Sequence, residues 1–269
     1  MEAHTTARAQ YAASLIAPIE GRLSSPAARI PTVLEQSSGI TIKGRTIRSF
    51  AYTTDAAIIR NTNADAILAV YPFTGEPIIT EALMKVAQAP LFVGVGGGTT
   101  TGQRVLELAM MAEMQGAAGV VLNSPASPET ILSVLNVVDI PVIATVTDFD
   151  GATAQKIEIG ASIVNVAAGG RTAEVVTKIR EQYPMVPILA SGGRSETTML
   201  ETINAGANAL TWTPPSAQEL QRQMMEDYRS GKPHHHETAG SGETSPKQTP
   251  QNSPFFIDLD EETEPIELW

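Results

Sequence analysis

The sequence predicts an α/β fold, a single-domain (β/α)8 TIM barrel, and three observations predict it. Eight short β-rich runs recur at residues 46–50, 66–71, 91–95, 119–122, 141–146, 162–166, 187–190 and 209–213. Helical patterns separate them, as in Val105-Leu108-Ala109-Ala112 and Val175-Val176-Ile179, with apolar residues at i, i+3 and i+4. The runs themselves are nearly continuous Val, Ile, Leu and Ala, the pattern of strands buried on both faces. A doubly wound open sheet is the competing fold, but it needs no closure and usually has fewer strands. The 269-residue length suits a barrel, which typically occupies about 250 residues.

Residues 1–45 read as an N-terminal extension: a helix-like stretch at 7–23, interrupted by Pro18, then Ile40-Thr41-Ile42-Lys43-Gly44-Arg45-Thr46-Ile47. That alternating segment reads as a hairpin closing the bottom of the barrel. Residues 46–230 are the barrel proper. Gly116, Gly160 and Gly206 fall just before a strand, where helix C-terminal caps belong. Beyond Ser230 the composition turns to Gly, Ser, Thr, Pro and His, so residues 231–269 read as a disordered linker and acidic tail. Within it, residues 254–269 mix Phe255, Phe256 and Ile257 with acidic side chains. Such a segment either docks on a protein partner or is an exposed tail without a role.

Net charge is −11, and residues 233–269 alone carry −7 of it. The body is nearly balanced and has no basic stripe, which argues against nucleic acid. No apolar run reaches the roughly 18–20 residues of a membrane span. The N-terminus lacks the layout of a secretory signal, and a cytoplasmic location is the default expectation. There are no cysteines, which excludes disulfides and thiolate chemistry. Pairing of barrels into a homo-oligomer is left open.

In barrels of this kind the site is built from the loops that follow each strand. Two of those loops carry one phrase. Val166-Ala167-Ala168-Gly169-Gly170-Arg171-Thr172 follows strand six, and Leu189-Ala190-Ser191-Gly192-Gly193-Arg194-Ser195 follows strand seven. Paired glycines let the backbone approach a ligand, the next helix offers free N–H groups, and arginine adds a full charge. Gly169, Gly170, Arg171, Gly192, Gly193 and Arg194 are therefore the anion-binding candidates. The competing reading is a pair of tight turns with solvated arginines.

The third loop, Gly94-Val95-Gly96-Gly97-Gly98-Thr99-Thr100-Thr101, offers Gly96, Gly97 and Thr99 as ligand contacts. Otherwise it is a mobile turn with a threonine capping the third helix. Asn123 after strand four and Trp212 on strand eight complete the contacts, although Trp212 also suits plain packing. Acid–base candidates are few. Asp148 and Asp55 could act as a general base or hold Mg2+ with substrate oxygens. For Asp148 and Asp150, capping of the fifth helix is the stronger reading. Asn165, mid-strand six, touches ligand or water if it points into the barrel. The His234-His235-His236 run lies in the linker, and consecutive histidines do not readily converge on one metal, so no metal site is expected.

Residues 64–216 resemble the phosphate-binding (β/α)8 barrels, and in particular the keto-deoxy-phosphogluconate/keto-hydroxyglutarate aldolases. The resemblance rests on Phe92-Val93-Gly94-Val95-Gly96-Gly97 and Pro187-Ile188-Leu189-Ala190-Ser191-Gly192-Gly193. It implies the barrel and the anion turn. It also implies a sixth-strand lysine and a second-strand glutamate followed by arginine, but this chain has Asn165, Ala69 and Phe73 at those places. Without the amine no carbinolamine forms. The later half is also similar to flavin-dependent barrels of the nitronate-monooxygenase type, which implies FMN. There Thr213-Pro214-Pro215-Ser216 departs from the glycine-containing turn of that family, and proline has no N–H to donate. The expectation is a barrel binding a small phosphorylated or carboxylated metabolite. Its chemistry would be of lyase or isomerase type without a Schiff base, and no cofactor is expected. An FMN-dependent oxidoreductase and a non-catalytic ligand-binding barrel are the alternatives.

Overall fold

A computed structural model describes residues 28–231. The helix expected at 7–23 and the tail at 232–269 lie outside the described residues. The chain enters through the 3-10 turn Thr32–Gln36 and a hairpin of β1 (Ile40–Ile42) and β2 (Arg45–Ile47). Eight parallel strands follow: β3 (Ser49–Tyr52), β4 (Ala66–Ala69), β5 (Leu91–Gly96), β6 (Gly119–Leu122), β7 (Val142–Val146), β8 (Ile163–Val166), β9 (Ile188–Ser191) and β10 (Ala209–Trp212). They close in the order β10-β3-β4-β5-β6-β7-β8-β9, so the predicted barrel is the observed one. A helix follows each strand: α1 (Ala56–Arg60), α2 (Pro77–Val86), α3 (Gln103–Met114), α4 (Pro128–Leu135), α5 (Gly151–Glu158), α6 (Thr172–Gln182), α7 (Glu196–Asn204) and α8 (Ala217–Arg229).

The strand period of two divides each strand between two cores. Outward residues such as Ile67, Val93, Val120, Val142, Val164 and Ile188 pack under the helices. Inward residues Phe50, Leu68, Phe92, Val121, Ile143, Ile163, Leu189 and Ala209 fill the lower barrel. Phe50 and Phe92 meet there edge to face, with ring centroids 5.2 Å apart. Ile40 and Ile47 of the hairpin join the same cluster, as the plug reading requires. Gly116, Gly160 and Gly206 end α3, α5 and α7 with positive φ, as expected.

The first barrel strand starts later than the sequence suggests. Residues 46 and 47 belong to the hairpin, where Thr46 pairs with Thr41 and Ile47 with Ile40. Asp65 then accepts the N–H groups of Arg48 and Ser49 at 2.8 and 3.1 Å, and the Ser49 hydroxyl at 3.0 Å. This carboxylate turns the chain out of the hairpin before β3 begins. The long helical ring closes less tightly at its end: α8 buries none of its residues. Its first N–H, from Ala217, donates to the Asp55 carboxylate at 3.1 Å.

Candidate functional site at the barrel mouth

One step up each strand from the apolar plug, the inward positions change character. Ile143 gives way to Thr145, Ile163 to Asn165, Leu189 to Ser191 and Ala209 to Thr211; Val121 gives way to Asn123, and Phe50 to Tyr52. Leu68 and Val70 keep the β4 side apolar. These residues line a cavity of about 450 Å3 at the C-terminal mouth, together with Ala167, Gly192, Gly193, Arg194 and Thr213. That volume falls in the usual range for small-molecule sites. Val70 and Asn123 also line a neighbouring hollow of about 260 Å3 under Tyr71, Phe73 and the third-loop glycines.

The turn after β9 is built to present amides. Gly192 is locked into the barrel: its N–H donates to Thr211 O at 3.1 Å, and its carbonyl accepts the Thr198 hydroxyl at 3.2 Å. Gly193 then turns through a φ of 75°, a left-handed conformation that side chains resist. A Cβ here would also run into the Thr198 side chain. Ser195 caps α7 by accepting the Thr198 N–H at 3.2 Å in a capping box. Among the described residues nothing accepts a hydrogen bond from the N–H of Gly193 or of Arg194, and Arg194 forms no ion pair. Two free donors and one unpaired cation thus stand at a helix N-terminus on the cavity wall, the arrangement that holds an oxyanion.

The matching turn after β8 does something else. Gly169–Arg171 forms a 3-10 turn, and none of the three residues lines the cavity. The Arg171 guanidinium pairs with the Asp148 carboxylate at 3.0 Å. That pairing, helped by the Phe149 N–H, holds Asp148 below the usual aspartate range. The two Gly-Gly-Arg phrases are alike in sequence, yet Asp148 lies within reach of only one arginine.

The other predicted residues divide between site and scaffold. Asn165 lines the cavity and is 7 % exposed. Its Nδ2 donates to Thr145 Oγ1 at 3.2 Å, while its Oδ1 is buried without a partner. Asn123 lines both hollows, and Gly96 and Thr99 line the smaller one. Gly97 lines neither; it packs so closely on the Asn123 backbone that a Cβ would fall 2.7 Å from Asn123 O. The third helix is capped by Gly102 rather than by a threonine. Thr100 is buried instead and accepts the Gly75 N–H at 3.1 Å. Asp55 caps α1 and ties in α8, and Asp150 caps α5; neither lines the cavity. Trp212 faces outward and borders an open groove of about 630 Å3 against α8, which shares only Thr213 with the mouth cavity.

Sequence reasoning missed Thr145 and Thr211, and gave no specific role to Tyr52, Ser191 and Thr213. Their signal was the phase of each strand: they stand two or four residues after an inward apolar position. Another buried group also escaped notice. Lys156 on α5 is buried and donates to Ser124 O at 2.8 Å, bracing the loop after Asn123. Burial holds its amine below the usual lysine range.

The cavity does not suit Mg2+. That ion is usually held by one or two carboxylates together with substrate oxygens. No Asp or Glu lines this cavity, and no cluster of His, Cys, Asp and Glu among the described residues could hold a metal. Nor does it suit FMN well: beside the Gly193 turn, the β10 end presents Thr213-Pro214-Pro215, where both prolines lack an N–H. The one aromatic on that strand, Trp212, turns away. No helix among the described residues is long and apolar enough to cross a membrane.

No family model matches the sequence, and no curated protein matches it. Solved structures do match. A phosphoenolpyruvate phosphomutase from Streptomyces platensis subsp. rosaceus is 13 % identical, with a TM-score of 0.53 over 74 % of this chain and 86 % of that one. A phosphonopyruvate hydrolase in complex with oxalate and Mg2+ is 11 % identical, with a TM-score of 0.51 over 68 % and 83 %. A mandelate oxidase with benzaldehyde is 16 % identical, with a TM-score of 0.54 over 71 % and 74 %. At this identity they share the TIM-barrel fold with this chain, across different reactions.

Proposed function

We propose that this barrel binds a small phosphorylated or carboxylated metabolite at its mouth. The free N–H groups of Gly193 and Arg194, with the Arg194 guanidinium, hold the anion. The observation that carries this reading is the pairing pattern: the turn after β9 keeps its donors and its cation unengaged on the cavity wall. Chemistry there is of lyase or isomerase kind and proceeds without a Schiff base, since no lysine among the described residues lines the cavity. Mutase and hydrolase neighbours are in keeping with that kind of reaction on this fold. Proton transfer would fall to the Tyr52 phenol, the one titratable side chain of the lining besides Arg194.

The same lining favours a second reading, a barrel that binds its ligand without turning it over. Among the described residues no carboxylate, histidine or lysine lines the cavity, so general acid–base catalysis has little to draw on. The neighbouring oxidase keeps a redox reading in view, and a colourless purified protein would remove its flavin form.

Calorimetric titration with inorganic phosphate tests the site. Arg194→Ala should weaken phosphate binding about 10- to 100-fold, the effect of losing a charge-assisted contact. Arg171→Ala should change it by less than about twofold, because its partner is Asp148. Equal losses in the two variants would contradict the assignment. Turnover of the phosphorylated compounds that bind then separates enzyme from binding protein.

A further inference from the structure

Once the anion is placed at the β9 turn, the rest of the cavity describes what the anion is attached to. Apart from Arg194, the hydrogen-bonding side chains around it among the described residues are all neutral polar groups: Tyr52, Asn123, Thr145, Asn165, Ser191, Thr211 and Thr213. Arg194 is the single cation of the lining among the described residues, so a second anionic group on the ligand would enter without a counter-charge. The opposite wall, Leu68, Val70 and Val121, is apolar and suits C–H groups.

Asn165 sharpens this. Its side chain is more than nine-tenths buried, one end of the amide is held by Thr145, and the other end has no partner. A buried carbonyl oxygen in that state is costly and calls for a donor. An anionic oxygen would be repelled by it. A hydroxyl both donates and accepts, so it satisfies Asn165 whichever way the amide is turned.

We infer that the ligand is a phosphate monoester of a hydroxylated carbon chain, with a chain hydroxyl bonded to Asn165 and the phosphate at Gly193 and Arg194. This rests on the anion reading above. Asn165 is then a specificity-determining residue, standing where the aldolase resemblance would have a reactive amine. A dicarboxylate, or a keto acid that also carries a phosphate, matches the cavity less well, for want of a second cation.

The test compares glycerol phosphate with propyl phosphate, which has the same length and charge but no hydroxyl, and includes inorganic phosphate and oxalate. The wild-type chain should bind glycerol phosphate about tenfold more tightly than propyl phosphate, the effect of one well-placed buried hydrogen bond. Asn165→Leu should bring that ratio to about one. The double variant Thr145→Val/Asn165→Leu removes both members of the hydrogen-bonded pair, so it guards against misfolding and should behave the same way. Oxalate should bind no better than inorganic phosphate. Equal binding of the two esters by the wild type, a preference that survives Asn165→Leu, or tighter binding of oxalate overturns the inference. Absence of binding by every phosphate compound would instead remove the anion site on which it rests.

Discussion

Asp148 and Arg171 show how a single contact decides between two similar motifs. The carboxylate is held below its usual range first by the Arg171 hydrogen bond and then by the Phe149 N–H. A carboxylate with a depressed folded-state pKa contributes stability above its unfolded pKa, and the contribution is lost as pH falls through the folded value. Asp148→Asn should therefore lower the melting temperature slightly at neutral pH. The difference should vanish on acidification through and below the ordinary aspartate range. Both side chains are about half exposed, so the effect is small and fades with added salt. A melting difference that persists at low pH would show that Asp148 acts by something other than its charge. The same substitution frees Arg171, yet phosphate affinity at the mouth should stay as it was.

At the scale of elements, the turn and helix after β9 act as one unit. Gly193 supplies the left-handed step, Gly192 anchors the strand end to Thr211, and the Ser195–Thr198 box caps α7. Ser195→Ala should cost about 1 kcal/mol of stability through loss of the cap. Gly193→Ala should cost about 1–2 kcal/mol, since the left-handed turn disfavours a side chain and a Cβ meets Thr198. Chemical denaturation measures both. The glycine variant should also lose phosphate affinity, whereas Ser195→Ala should lose far less. If Gly193→Ala binds phosphate normally, the turn does not position the donors.

Elements of this kind were legible in the sequence to different degrees. Glycine, serine and aspartate act through local backbone geometry, so the turns and most helix caps could be read from neighbouring residues. The capping role of Asp150 was visible as the alternative to catalysis, and the structure gives it that role. Asp148, read the same way, pairs with Arg171 instead, and Asp55 caps α1, a role not read from the sequence. The partner of Arg171 lies 23 positions away, and spacing along the chain gives no sign of it. The N-cap of α3 escaped because Thr100 is drawn inward to Gly75, a contact between two different loops.

Over the whole molecule, eight alternating units of apolar strand and amphipathic helix match a closed barrel, which buries every strand on both faces and leaves no sheet edge. The barrel could therefore be read from periodicity. The lining of its mouth could not, because the inward phase of each strand depends on its register with its neighbours. A slip of one residue would have turned Asn165 toward the helices and Val164 or Val166 into the cavity. The pairing of Thr145 with Asn165 and of Asn165 with Leu189 sets the phase. It puts a neutral polar ring above an apolar plug, with one unpaired cation at the rim.

The most direct test of the account is a crystal structure grown in sulfate or phosphate. An oxyanion should be bound to the N–H groups of Gly193 and Arg194, with the Arg194 guanidinium closing over it and the Arg171–Asp148 pair intact. An oxyanion seated on Gly169, Gly170 and Arg171 instead, or none at the β9 turn, would contradict the account.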